Sequence, residues 1–271
     1  MNLHQRILTY NDCYLKGQTI RPKGVMVHST GANNPNLSRY VGPDDGLLGQ
    51  NPNNNHWNMS GVGACVPAFI GRLADGSIAS YQTLPWNWRG WHCGSGRSGS
   101  ANNTHISFEI CEDGLDDREY FDAVYREAVE LTAHLCELYG LDPLEDGVVI
   151  CHSEGYRRGV ASNHGDVMHW FPKFGKNMDG FRADVSRELK GDEDDMTQEQ
   201  FNQMMTEYER TKNPVPDNTP ADWEAPAVQW ARDNGLLAGD GAGNLMLHSN
   251  MTRAQFFVIL KKYHDHRKEI S

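Results

Sequence analysis

One long helical signal lies between two apolar strands, and that arrangement limits the folds open to this chain. In "YFDAVYREAVELTAHLCELYGLD" (120–142), Phe121, Val124, Ala128, Leu131, Leu135 and Leu138 recur at helical spacing. Gly140 stands where a C-terminal cap belongs. Just before it, "THISFEI" (104–110) alternates: Ile106, Phe108 and Ile110 share one face, Ser107 and Glu109 the other. Just after it, "GVVICHS" (147–153) reads as a short apolar strand. Further upstream, "GVMVHST" (24–30) reads as a buried strand, and "AFIGRLADGSIASYQTL" (68–84) as a hairpin turning at Asp75-Gly76. "MDGFRADVSRELKG" (178–191) suits a closing helix. Strands interleaved with helices predict an α/β domain, a central mixed β-sheet flanked by α-helices.

That pattern covers residues 1–190. The stretch 191–220 changes character: an acidic run, a Met-rich amphipathic segment, then a Pro/Asn-rich linker. Residues 221–265 return to helical spacing, with Thr252 as an N-cap, and predict a small C-terminal helical unit. A unit under about 60 residues has a marginal core by itself.

Formal net charge is −11, which argues against nucleic-acid binding through a basic surface. No stretch reaches the roughly eighteen apolar residues of a membrane span. The opening "MNLHQRILTYND" lacks a basic segment followed by an apolar run, so export would need outside help. Six cysteines occur without a CxxC pair, which predicts buried thiols in place of a disulfide framework or a zinc finger.

The polar residues at strand ends carry the chemistry. His28 follows "VMV" and His152 follows "VVIC"; His164, Asp166 and His169 come soon after, and His56 and His92 lie in "NNNHWN" and "WRGWHCG". A lone histidine in such a place is usually a satisfied core residue. Two after separate strands, with a further histidine and an aspartate close behind, suit zinc, which takes imidazole and carboxylate ligands and keeps an open position for water. No HExxH is present. Spacing alone leaves the choice of three ligands open. Glu109, facing away from the apolar row, reads either as an edge carboxylate or as a base for water.

Four segments in order, "VMVHST", "NNNHWNMS", "WHCGSG" followed by "ISFEI", and "CHSEG" with its loop, resemble the zinc-dependent N-acetylmuramoyl-L-alanine amidases of the phage T7 lysozyme and peptidoglycan-recognition type, nearest to clostridial endolysins and autolysins. The resemblance implies Zn2+ bound by His28 and His152. Its third ligand is an Asp or Cys, usually eight to ten residues later. Here Asp166 lies fourteen residues after His152, without the usual Pro-Gly following, and Cys151 replaces the usual glycine. Aligning His164-Gly165-Asp166 with the family's lysine-any-aspartate makes Asp166 the third ligand and "YRRGVAS" an insertion. A rival alignment puts His169 or His164 on the metal. The same resemblance gives Glu109 the role of assisting the water and His164 that of stabilising the tetrahedral intermediate.

The implied reaction is hydrolysis of the amide between N-acetylmuramic acid and L-alanine in bacterial peptidoglycan, by a protein made in the cytoplasm and acting on the wall after release. An open groove is expected, with His56, Trp57, Trp91 and His92 along it and Trp86 and Trp88 as further candidates; core packing is the alternative for each tryptophan. Residues 223–263 resemble one S-layer-homology repeat, implying attachment to a secondary cell-wall polymer, a homodimer surface or a structural cap. Two other readings remain: a peptidoglycan-binding protein without catalysis, separated by loss of the third ligand, and a muropeptide-recycling amidase.

Overall fold

In the computed structural model, β1 (Leu3–Gln5), β2 (Gly24–Asn33), β3 (Ala68–Arg72), β4 (Ile78–Gln82), β5 (His105–Glu112) and β6 (Val149–Cys151) make one sheet, ordered β1-β4-β3-β5-β2-β6. Only β3 and β4 pair antiparallel, as a hairpin; the other neighbours run parallel, so the sheet is mixed. Gly76, at φ 90°, takes the left-handed turn position, and Asp75 accepts from the Ser77 N–H. The helices are α1 (Asp12–Lys16), α2 (Arg118–Tyr139), α3 (His152–Arg158) and α4 (Met178–Leu189). The structure describes residues 1–191, 202, 204, 205, 208, 218–239, 243–248 and 250–269.

The α2 helix begins where the Asp117 side chain accepts from the Tyr120 N–H and ends at Gly140 in the left-handed region. Phe121, Val124, Ala128, Leu131 and Leu135 are buried, but Leu138 is exposed, while Cys136 and Tyr139 of the same turn pack on the core. With α4 it covers the sheet face formed by Val25, Val27, Ala68, Ile70, Ile106, Phe108, Ile110 and Val149. Trp170 and Phe171, from the segment before α4, complete this core around Phe121. Each such ring contributes roughly 1.5–3 kcal/mol by burial.

The strand limits depart from the sequence expectation in two places that matter. The strand expected over 104–110 runs on past Ile110: β5 continues to Glu112, so Glu109 lies inside it. The 147–153 stretch is strand only over Val149–Cys151, and His152 opens α3. All six cysteines are buried free thiols.

The chain divides into two units, Met1–Glu193 and Asp194–Ser271. In the second, α5 (Ala225–Asp233) and α6 (Arg253–Glu269) meet through Trp230 and Tyr263, whose rings lie 6.3 Å apart. Thr252 caps α6 and exchanges hydrogen bonds with Gln255. No residue of α5 is buried, and Trp223 is 81% exposed. Most of the acidic run, of the Met-rich segment and of the linker falls outside the described residues. Among the described residues no helix is long and apolar enough to cross a membrane.

Candidate metal centre

Parallel register assembles the site. On the sheet face opposite α2, Glu109 of β5 pairs with His28 of β2 on one side and with Phe69 of β3 on the other. Residues in register point the same way. Cys151 of β6 pairs with Val27, so the next residue, His152, arrives beside His28 as the chain turns into α3. Glu154 fixes that turn by accepting from the Cys151 N–H at 3.1 Å. Arg182 of α4 holds the Glu154 carboxylate at 3.1 and 3.2 Å and donates to the Val149 carbonyl.

Asp166 comes from the loop after α3. Its neighbour Val167 is fully buried, and the Val167 carbonyl accepts from the N–H groups of Trp170 and Phe171, whose rings sit in the core. The loop is thereby nailed to the sheet on one side of Asp166.

Three atoms converge. The Nδ1 atoms of His28 and His152 are 3.1 Å apart, and Oδ2 of Asp166 lies 3.0 Å from the first and 3.4 Å from the second. Tetrahedral ligands on zinc, at bonds of about 2.0–2.1 Å, stand about 3.3 Å from one another. The observed triangle is that size, and His/His/Asp is a donor set zinc accepts. Among the described residues, this is the group of three or more such side chains placed to hold a metal ion.

The electrostatics favour a cation at the centre. Burial pushes His28 below the ordinary histidine range, leaving a neutral imidazole with a lone pair. Burial raises the Asp166 carboxyl, but hydrogen bonds with His152 and His28 outweigh it and hold Asp166 well below the usual carboxylate range. Glu109 is the opposite case. Burial, then the charges of Asp166 and Glu112, raise it well above 4.5, and its Oε2 is sealed from solvent without a partner.

Around this triangle stand further groups. His164, 63% exposed, stacks on His152 at 4.8 Å, with its Nδ1 3.9 Å from Asp166. His92 places Nδ1 2.9 Å from the outer nitrogen of His28. Ser162 places its hydroxyl 3.3 Å from the outer nitrogen of His152. His169 is not part of the triangle; its Nε2 lies 2.9 Å from Glu112.

Of the groove candidates, His56 is buried against Gly42. Trp57 is half-buried and meets Phe69, the partner of Glu109, edge-on at 5.1 Å. Trp91 and Trp88 pack with Cys13, Cys65 and Leu84, and Trp86 packs against the α2 core. All four tryptophans keep part of their surface exposed. Ser162, within the inserted "YRRGVAS", carries no sequence signal: a serine after a helix-ending glycine is ordinary loop composition.

Residues 18–168 match the family model described as N-acetylmuramoyl-L-alanine amidase. The chain belongs to that family. The matched span holds both histidines and the aspartate of the triangle, together with Glu109 and His164. Similar solved structures include the hydrolase AmiA of Staphylococcus aureus in complex with its ligand, 18% identical over 70% of this chain and 83% of that chain, TM-score 0.49. A mutant endolysin from Bacillus subtilis is 23% identical over 68% and 99%, TM-score 0.46. The endolysin N-acetylmuramoyl-L-alanine amidase LysCS from Clostridium intestinale is 15% identical over 58% and 86%, TM-score 0.34. No curated protein matches the chain.

Proposed function

We propose that this protein hydrolyses the amide between N-acetylmuramic acid and L-alanine in bacterial peptidoglycan, using zinc held by His28, His152 and Asp166. The convergence of their three donor atoms within 3.0–3.4 Å, in a chain of this family, carries the reading. When bound, zinc polarises the scissile carbonyl, acidifies a water and offsets the raised affinity of Glu109 for its proton.

The chain's own residues supply the rest. Glu109, in register with His28 and with Oε2 unpartnered, accepts the water's proton and can return it to the leaving amine. His164, exposed and stacked over His152, is placed to donate to the oxygen that gains charge. His164→Ala is expected to keep its zinc and lose about 10²–10³-fold in rate, the usual cost of one such donor. Equal loss of metal and rate would instead make His164 a ligand.

The second unit extends the reading to wall attachment. Its resemblance to a single S-layer-homology repeat and its outward-facing Trp223 and Phe257 support a secondary wall polymer as its partner.

Product analysis tests the reaction. Purified peptidoglycan treated with the full chain should gain free L-alanine amino termini without new reducing sugar ends. Chelation should stop the release and added zinc restore it. New reducing ends, or release that persists after chelation, would overturn the proposal.

A further inference from the structure

Each histidine facing the metal position has a second ring nitrogen, and each of those has its own partner. His28 turns Nδ1 toward Asp166 and Nε2 toward His92 Nδ1, 2.9 Å away. His152 turns Nδ1 toward His28 and Nε2 toward the Ser162 hydroxyl, 3.3 Å away. Both partners are held by one short segment. The Trp91 and Cys65 backbones bridge antiparallel. The His92 and Cys93 N–H groups both donate to Asn102 Oδ1, at 3.1 and 3.0 Å. The Ser162 N–H and hydroxyl both donate to the Cys93 carbonyl, at 2.9 and 3.1 Å.

With zinc on the three converging donor atoms, proton bookkeeping has one solution. The Ser162 hydroxyl hydrogen is spent on the Cys93 carbonyl, so its oxygen must accept from His152, which places that ring's proton on Nε2. If Nδ1 of His28 is a donor to the metal, the proton of that ring is also on Nε2, and His92 Nδ1 must accept it. His92 in turn carries its own proton on Nε2, which has no hydrogen-bond partner. A neutral imidazole offers one donor and one acceptor, so each choice forces the next.

We infer that His92 and Ser162 are positioning residues that lock His28 and His152 in the Nε2–H tautomer, presenting both Nδ1 lone pairs to the metal. The inference rests on the zinc reading above. It gives "WHC" a role apart from the groove: residues 92 and 93 serve the two ligand histidines, His92 directly and Cys93 through Ser162. Outer partners of this kind orient the ligand ring and raise its basicity.

Zinc affinity, measured by competition with a chelator, separates positioning from packing. His92→Leu fills the space without an acceptor and should bind zinc about 10–100-fold more weakly, the usual effect of losing such a partner. His92→Asn sets an oxygen near the Nδ1 position and should recover most of the affinity. Ser162→Ala should weaken binding in the same direction. A leucine variant that is folded and binds zinc as tightly as the native chain overturns the role of His92. So does an asparagine variant no better than leucine. Absence of zinc from the native protein would instead defeat the metal reading itself. Should the variants not fold, nitrogen-15 spectra of the zinc-loaded native protein decide: protonated Nε2 on His28, His152 and His92 is expected, and a protonated Nδ1 on His28 or His152 overturns the assignment.

Discussion

Asp166→Ala should release its zinc and lose amide hydrolysis by on the order of 10³-fold or more. Lewis-acid stabilisation is worth several kcal/mol, and each 1.36 kcal/mol is about tenfold in rate. The effect is this large because the carboxylate cannot be replaced locally. His28 and His152 are both buried, and the next carboxylate on that face, Glu109, is raised toward its protonated form, with its Oε2 unpartnered. His164 lies 3.9 Å from Asp166 on its exposed side, and His169 is engaged with Glu112. Neither is placed to step into the triangle. Activity retained in Asp166→Ala on purified peptidoglycan would contradict this.

Glu109→Gln should keep zinc and lose about 10²–10⁴-fold in rate, the range for a lost general base. A second effect has the opposite sign. In the metal-free protein the folded carboxyl is held protonated well above 4.5, by burial first and then by Asp166 and Glu112. The unfolded chain gives up that proton near the ordinary value. Over the window from about 4.5 up to the raised folded value, the folded state therefore binds more protons, and stability falls as pH rises. Glutamine removes this slope. The unfolding midpoint of metal-free Glu109→Gln should exceed that of the metal-free native chain by a margin that grows through the window and levels off above it. Parallel curves would mean that Glu109 ionises normally in the folded state. A site residue that costs stability and supplies activity is a common compromise.

The sheet was readable where burial imposes a period. The face alternation in β5 and the apolar stripe of α2 both follow from one side of each element meeting the same core. Leu138 departs from the pattern: it is exposed although Cys136 and Tyr139 of the same turn pack on the core. β1 and α1, three and five residues long, are too short to show a period. The spans of His28, Glu109 and His152 were visible as strand-like stretches, but the register that sets them side by side is a property of pairing across more than eighty residues, since His28 and Glu109 stand far apart in the chain. His92 reaches His28 across 64 residues, so its contact had no local signature. Asp166 had to come from resemblance, because what fixes its carboxylate is the burial of Val167, Trp170 and Phe171 next to it, and no spacing rule encodes that.

Zinc content per chain, measured by plasma mass spectrometry on gel-filtered native, Asp166→Ala and His169→Ala protein, tests the centre most directly. The native chain and His169→Ala should each hold zinc in equal amount, and Asp166→Ala should hold none. Zinc kept by Asp166→Ala and stripped from His169→Ala would move the third ligand to His169 and contradict the triangle of His28, His152 and Asp166.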